Sequence, residues 1–291
     1  MQIGWIGLGQ MGFPMAANTL KAGHAVIAYN RSRAKAEELA KLGARIAGTA
    51  AEAATGEVVI TMLSDDAATD EIVFGSGKLL EAIKPGAMHV AMSTLGVSMA
   101  KRLTEAHRRA GQVYVSSPVF GRPDAAAAKK LAVVAAGPPD ALSRLQPLFD
   151  AVGQATFVIG EEPAAANVAK LSGNFLIASM IESLGEAVAL LRKYGVDPKQ
   201  YLQMITSTLF SAPVYKTYGS LIASDNYQPV GFKMALGLKD ARLVLAAADA
   251  VAAPMPVAGL VYDRMLRGVA RGRENDDWSS FARLIAEDAG L

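Results

Sequence analysis

Three glycines near the amino terminus have the spacing of a loop that binds phosphate. Gly7, Gly9 and Gly12 form G-x-G-x-x-G at the end of a short apolar stretch, Ile3–Gly7. The first glycine allows a tight turn, the second lets the backbone approach a pyrophosphate, and the third lets the following helix pack on the strand. The alternative is a glycine turn without a ligand. Because a second strand is expected at Ala25–Tyr29, the pattern predicts a dinucleotide site. The residues expected to line it are Gly7, Leu8, Gly9, Gln10, Met11 and Gly12.

The end of the second strand selects between the two nicotinamide dinucleotides. An acidic residue at this point accepts hydrogen bonds from the ribose of NAD, whereas this chain has Asn30, Arg31 and Ser32. Arg31 can form a bidentate pair with a 2′-phosphate, and Asn30 and Ser32 can donate hydrogen bonds to it. The alternative is that these residues cap a helix and lie on the surface. We therefore predict that NADPH is preferred over NADH.

A dinucleotide that carries hydride requires a proton donor or acceptor from elsewhere in the chain. Asn167, Lys170 and Asn174 lie at i, i+3 and i+7 of a predicted helix and therefore on one face. Lys170 precedes an apolar stretch, and desolvation would lower the pKa of its amine toward values useful for acid–base catalysis. The alternative is a solvated surface lysine, which is the more usual state of lysine on a helix.

Composition excludes several other classes of protein. The chain has 291 residues, of which 52% are hydrophobic and 19% charged, so intrinsic disorder is excluded. With 29 basic and 27 acidic residues the net charge is +2, and no basic block predicts a nucleic-acid partner. Cysteine is absent and only 3 histidines occur, which argues against a disulfide framework, a cysteine nucleophile or a metal centre.

The pattern of elements predicts an α/β fold, a Rossmann-type doubly wound sheet followed by an all-helical domain. The first domain is expected at 1–161 and the second, for substrate binding and oligomerisation, at 162–291. Short β-branched runs in the first part predict parallel strands at Ile3–Gly7, Ala25–Tyr29, Val58–Leu63, Met88–Met92, Gln112–Val115, Leu131–Ala135 and Ala155–Ile159. Helices are expected at Ala34–Leu42, Met99–Ala110, Ala164–Lys193, Pro198–Thr208, Phe232–Val251 and Ala258–Arg271.

Two apolar segments could be mistaken for signals of export or membrane insertion. The first twenty residues lack a basic region, and the segment Leu243–Val261 is interrupted by Asp249, Pro254 and Pro256. We therefore expect a cytoplasmic protein with no membrane partner. Phe175–Ile181 is apolar nearly all round its helix, which predicts burial on every side and a homodimer or homotetramer formed through the helical domain.

The ordered motifs of the chain resemble those of the β-hydroxyacid dehydrogenase family, and more narrowly its NADPH-dependent glyoxylate and succinic semialdehyde reductases. The motifs that carry the resemblance are G-L-G-x-M-G-x-P-M from Gly7, N-R-S at Asn30, Ser93-Thr94, P-V-x-G from Pro118, K-L-x-x-N from Lys170, and Lys239-Asp240. They cover essentially the whole chain.

The resemblance implies a role for each matching residue. Lys170 corresponds to the catalytic lysine, general acid in reduction and general base in oxidation, and Asn174 to the asparagine that hydrogen-bonds the substrate. Thr94, Leu63 and Lys239 correspond to contacts with the cofactor, and Ser93 is expected to line the substrate site. The resemblance also implies an active site in a cleft between the two domains and assembly into dimers or tetramers.

The substrate loop departs from the family pattern. Its usual D-A-P-V-S-G-G is replaced by a sequence in which Phe120, Gly121 and Arg122 are the candidate substrate contacts. Phe120 removes a hydroxyl group that binds a substrate carboxylate and adds an apolar face. Arg122 either restores carboxylate binding as a fork donor or faces the solvent.

These observations predict an NADPH-dependent reductase that converts a small aldehyde or keto acid, similar to glyoxylate or succinic semialdehyde, to the hydroxyacid. Two alternatives remain. The first is an imine reductase or a reductase of a bulkier carbonyl compound, which the apolar Phe120 would suit. The second is an interaction module that binds NADP without catalysis, although the Lys170–Asn174 pair argues against it.

Overall fold

The computed structural model describes all residues, 1–291, and the chain divides into two compact units. The amino-terminal unit is Met1–Lys170 and the carboxyl-terminal unit is Leu171–Leu291. The division falls within one continuous helix, Ala164–Lys193, nine residues after the boundary of 161/162 expected from the sequence.

The amino-terminal unit contains a nine-stranded sheet in the order β3-β2-β1-β4-β5-β6-β8-β7, with β9 paired to β8. The strands are β1 Gln2–Ile6, β2 Ala25–Tyr29, β3 Arg45–Ile46, β4 Val58–Thr61, β5 Met88–Ala91, β6 Val113–Ser116, β7 Val119–Phe120, β8 Leu131–Ala136 and β9 Gly153–Gly160. The seven strands predicted from the sequence are all present. The two-residue strands β3 and β7 were not predicted, because so short a segment has no measurable periodicity.

The prediction of a wholly parallel sheet is wrong at one edge. Strands β1 to β6 pair in parallel, but β8 is antiparallel to both β6 and β7. A parallel connection needs a crossover of a dozen or more residues. Only the short segment from Gly121 to Lys130 joins β7 to β8, so the chain reverses direction there.

Helices cover both faces of this sheet. They are α1 Gly12–Lys21, α2 Arg33–Ala40, α3 Ala50–Ala53, α4 Asp66–Val73, α5 Leu79–Ala82, α6 Val97–Arg109, α7 Pro123–Ala127 and α8 Pro139–Val152. Alternate residues of β4 enter different apolar clusters, Val58 and Ile60 on one face and Val59 on the other. A strand buried on both faces is what a doubly wound sheet requires, so the predicted fold class is confirmed.

The carboxyl-terminal unit is helical, as predicted. Its helices are α9 Ala164–Lys193, which begins in the first unit, α10 Pro198–Thr206, α11 Pro213–Ser224, α12 Met234–Asp249, α13 Pro256–Ala270 and α14 Phe281–Asp288, with a 3₁₀ turn at Trp278–Ser280. The bounds of α9 match the sequence prediction, whereas α11 and α14 were missed. Ile181, Met234, Met265 and Phe281, each fully buried, form the centre of the core of this unit.

Within this single chain, Phe175–Ile181 is buried on only part of its surface. Ile181 is fully buried, but Leu176, on another side of α9, is 65% exposed. Length and composition would also allow α9 to cross a membrane, and half of its most apolar stretch is buried inside the protein. A partly buried core helix of a water-soluble protein passes the same test, so this helix alone is weak evidence for membrane insertion.

A chain of buried polar side chains links β4, β5 and α6 inside the amino-terminal unit. The amide nitrogen of Gln112 donates to the Leu80 carbonyl oxygen at 2.8 Å, so Gln112 Oε1 accepts from His107 Nδ1 at 2.6 Å. His107 Nε2 then accepts from His89 Nδ1 at 2.8 Å, and His89 Nε2 accepts from the Thr61 hydroxyl at 2.9 Å. With both imidazoles neutral, every hydrogen bond in this series has one donor and one acceptor.

The two buried histidines predict that the fold is sensitive to acid. Burial lowers the pKa of His89 well below its ordinary value and that of His107 to about 4. The unfolded chain takes up protons below pH 6.5, so the stabilisation is complete above that pH and is lost as the pH falls toward 4. We expect the free energy of unfolding to drop by about 2 kcal/mol between pH 7 and pH 5 through His107 alone. The measurement is urea unfolding of the wild type and His107→Gln at both pH values. Equal acid dependence in the two proteins, or a folded-state NMR titration of either imidazole near pH 6.5, would contradict this prediction.

Candidate active site

The glycine loop has the geometry that a bound pyrophosphate requires. Gly7 has φ +97°, and a Cβ there would lie 2.3 Å from the Met62 carbonyl oxygen. A Cβ at Gly12 would lie 2.1 Å from the Gly7 carbonyl oxygen, so the start of α1 packs tightly on the loop. A Cβ at Gly9 would meet no atom within 4 Å, which leaves open space beside the backbone. No side chain caps the amino terminus of α1. The open position and the uncapped helix end together fit a dinucleotide phosphate.

Asn30 joins this loop to the next helix. Its Oδ1 accepts from the Leu8 backbone N–H at 2.9 Å, and its Nδ2 donates to the Ser32 carbonyl oxygen at 2.9 Å. Its amide therefore orders the loop instead of pointing at a ligand. Arg31 and Ser32 are exposed, and Ser32 occupies the position before α2 without making a side-chain cap. The end of β2 thus presents a guanidinium and an uncapped helix terminus to the surroundings.

Ser93 supports the loop that follows β4. Ser93 is 1% exposed, and its hydroxyl accepts from the Leu63 backbone N–H at 2.7 Å. The sequence placed Ser93 in the substrate site and Leu63 beside the cofactor, and the structure brings the two residues together at the carboxyl edge of the sheet. Thr94, the next residue, is partly exposed there. Ligands of open α/β sheets bind at this edge.

Asn167 fixes the first turn of α9 against the sheet. Its Oδ1 accepts from the Ser116 hydroxyl at 2.6 Å, and its Nδ2 donates to the Leu95 carbonyl oxygen at 3.2 Å. Asn167 is 1% exposed. It therefore works as an anchor between α9, the end of β6 and the loop after β5, and it sets the position of Lys170 almost one turn further along.

Lys170 is buried against an aromatic ring. Lys170 is only 7% exposed, and its Nζ lies 3.9 Å from the centroid of the ring of Phe120, at the end of β7. Gly121 has φ +139°, and a Cβ there would lie 2.5 Å from a methyl group of Leu131, so glycine is required after Phe120. Arg122 is partly buried at the start of α7. The solvated surface lysine considered from the sequence does not occur.

Within the carboxyl-terminal unit, Asn174 is held by a carboxylate. Asn174 Nδ2 donates to Asp240 Oδ2 at 2.6 Å, and Asp240 Oδ1 lies 3.1 Å from Lys239 Nζ. Asn174 is 8% exposed and Asp240 only 2%. Sequence reasoning gave Asp240 no role, although an acidic residue in an apolar helix beside Lys239 was a usable signal. The contact orients the amide, because Nδ2 faces Asp240 and the carbonyl oxygen faces elsewhere.

Comparison with known proteins agrees with this geometry. Residues 2–160 match the family model of the NAD-binding domain of 6-phosphogluconate dehydrogenase, and residues 164–285 match that of NADP-dependent 3-hydroxyisobutyrate dehydrogenase. The chain belongs to the β-hydroxyacid dehydrogenase family. It is therefore an oxidoreductase with NAD(P)-binding domains, as the sequence predicted.

Individual relatives cover the whole chain. It is 43% identical to the uncharacterized oxidoreductase YfjR of Bacillus subtilis over 98% of this chain and 100% of the relative. It is 31% identical to glyoxylate/succinic semialdehyde reductase 1 of Arabidopsis thaliana over 98% of each chain. The solved 3-hydroxyisobutyrate dehydrogenase of Mycobacterium tuberculosis, with L-serine, superimposes with a TM-score of 0.88 at 27% identity, covering 98% of each chain.

The glycine loop generates a paired prediction. Gly9→Ala should unfold at the wild-type urea midpoint, because its methyl group meets no atom, but should bind NADPH and NADH at least about tenfold more weakly, because the backbone can no longer approach the pyrophosphate. Gly12→Ala should lose about 2 kcal/mol of stability through its clash with Gly7. Urea unfolding and fluorescence titration of both dinucleotides measure these effects. Wild-type affinity in Gly9→Ala would show that the loop does not hold the phosphate.

Proposed function

We propose that this chain is an NADPH-dependent reductase that converts a small aldehyde or keto acid, similar to glyoxylate or succinic semialdehyde, to the corresponding hydroxyacid. The observation that carries the proposal is a buried lysine, Lys170, one helical turn before a buried and oriented amide, Asn174, on α9. The Arabidopsis relative, which spans 98% of the chain, supports the substrate class.

In this proposal each residue has a defined task. The nicotinamide ring, when bound, supplies hydride to the carbonyl carbon. Lys170 Nζ donates the proton that the carbonyl oxygen needs as negative charge grows on it. Asn174 orients the substrate, and Asp240 holds the Asn174 amide so that little reorganisation is needed. Asn167 keeps Lys170 in place through its contacts with the sheet.

The preference for NADPH rests on the end of β2. Arg31 is exposed beside the uncapped start of α2, where a guanidinium can pair with a 2′-phosphate. An acidic side chain that would repel this phosphate is absent from Asn30–Ser32. Thr94 and Lys239 are proposed as further contacts of the cofactor.

Phe120 supports a second candidate for the substrate. An aromatic ring stands where the family resemblance implies a hydroxyl group for a carboxylate, which favours a bulkier carbonyl compound or an imine. A panel of C2–C4 semialdehydes, ketones and cyclic imines, with NADPH oxidation as the readout, separates the two candidates. Turnover with none of them would favour an NADP-binding module without catalysis.

Assembly and location remain part of the proposal. Leu176 and Leu190, both more than half exposed on α9, are apolar surface that a second copy of the chain would bury. We therefore propose a homodimer or homotetramer, which a concentration-independent monomer in sedimentation velocity would exclude. We also propose that the enzyme is cytoplasmic.

The role of Lys170 leads to a direct prediction. Lys170→Ala should bind NADPH as the wild type does but lose about 10²–10⁴-fold in kcat, because the proton donor is removed. Lys193→Ala, an exposed lysine at the other end of α9, is the matched control and should keep full activity. Steady-state kinetics with the best substrate of the panel measure both. Wild-type turnover in Lys170→Ala would refute the proposed mechanism.

The role of Arg31 is tested by dinucleotide affinity. Arg31→Ala should weaken NADPH binding by about 10–100-fold, the loss of a charge-assisted bidentate contact, and leave NADH binding unchanged. Arg33→Ala, which removes the neighbouring guanidinium paired with Glu37, is the control. An unchanged ratio of the two affinities in Arg31→Ala would mean that Arg31 does not contact the phosphate.

A further inference from the structure

We propose that the ring of Phe120 favours the protonated form of the buried Lys170, so that this lysine can act as the proton donor for reduction. The inference deepens the proposed function and rests on it. It also assigns a function to Phe120, which the sequence analysis describes only as replacing a hydroxyl group of the substrate loop by an apolar face.

The contact has the geometry of a cation–π interaction. Lys170 Nζ lies 3.9 Å from the ring centroid, well inside the roughly 6 Å range over which a ring face attracts a cation. Both residues lie in the amino-terminal unit. The ring is held by packing of Phe120 against a small apolar cluster of Val134, Ala136 and Ala166.

Burial and the aromatic ring act on the charge of Lys170 in opposite directions. Burial of an amine favours its neutral form, because the ammonium loses hydration. The electron-rich ring face favours the ammonium and leaves the neutral amine unaffected. In the proposed reaction an N–H bond of the ammonium breaks as the O–H bond of the product forms, and the neutral amine takes its next proton from solvent. Without the ring, a larger fraction of the enzyme would lack that proton at neutral and alkaline pH.

Other ionisable groups of this unit lie on the elements around the ring. Strands β6, β7 and β8 carry Tyr114 alone, and burial raises the pKa of that phenol well above its ordinary value, so it stays neutral. Arg122, partly buried in the loop after Phe120, is a cation and adds no negative charge to this region. Glu161 and Glu162, before α9, are exposed to solvent, which screens their charge.

The test compares variants that separate the aromatic face from apolar volume. Phe120→Leu keeps an apolar side chain without a ring face, and Phe120→Tyr keeps the face. The probe is the ¹³Cε NMR shift of Lys170 in the full chain with and without NADPH, titrated with pH and assigned by its loss in Lys170→Arg. The exposed Lys199 serves as an internal control.

We expect the Lys170 titration midpoint to fall by about 0.4–1.5 pH units in Phe120→Leu and to stay within about 0.3 units in Phe120→Tyr. The alkaline limb of the kcat profile for reduction should move by the same amount. An unchanged midpoint in Phe120→Leu, or an equal shift at Lys199, overturns the inference.

Phe120→Met replaces Phe120→Leu if the latter fails to fold. Because the NMR readout needs no turnover, its failure is distinguishable from failure of the proposed function, which wild-type activity of Lys170→Ala would reveal.

Discussion

A buried ammonium group must be stabilised by its surroundings, and Lys170 places that constraint on this chain. Loss of hydration disfavours the charge, and the face of the Phe120 ring, 3.9 Å from Nζ within the amino-terminal unit, favours it. An aromatic face stabilises a cation without the desolvation penalty that a second buried charge would add. A carboxylate in the same place would pair with the lysine and compete with the substrate for its protons. Phe120 therefore suits a lysine that has to remain available.

The position of the lysine depends on a second set of polar contacts. Asn167 ties the start of α9 to Ser116 and Leu95, at the edge of the sheet where the glycine loop also lies. The loop in turn is ordered by Asn30, and the segment after β4 by Ser93. Each of these side chains satisfies backbone or side-chain groups that would otherwise be buried without partners. Asn30 and Ser93, which the sequence predicts as ligand contacts, thus form hydrogen bonds that order the loops of the protein itself.

Much of the fold could be predicted because its signals are local. Short β-branched runs and the helical period of α9 located the strands and the longest helix. The reversal at β8 could not be predicted, because it follows from how few residues connect β7 to β8 and not from the composition of either strand. The helix α11, which contains a glycine and several polar residues of low helix propensity, was missed.

The candidate site divides in the same way. The sequence by itself determined the glycine loop, the basic end of β2 and the residues Lys170 and Asn174, because these depend on residue type and on spacing within one turn or one helix. Only the tertiary structure decided that Phe120 covers Lys170, that Asp240 holds Asn174, and that Asn30 and Ser93 support loops. These pairs lie far apart along the chain, and no local pattern encodes them. They form only when packing of the apolar core brings distant elements together.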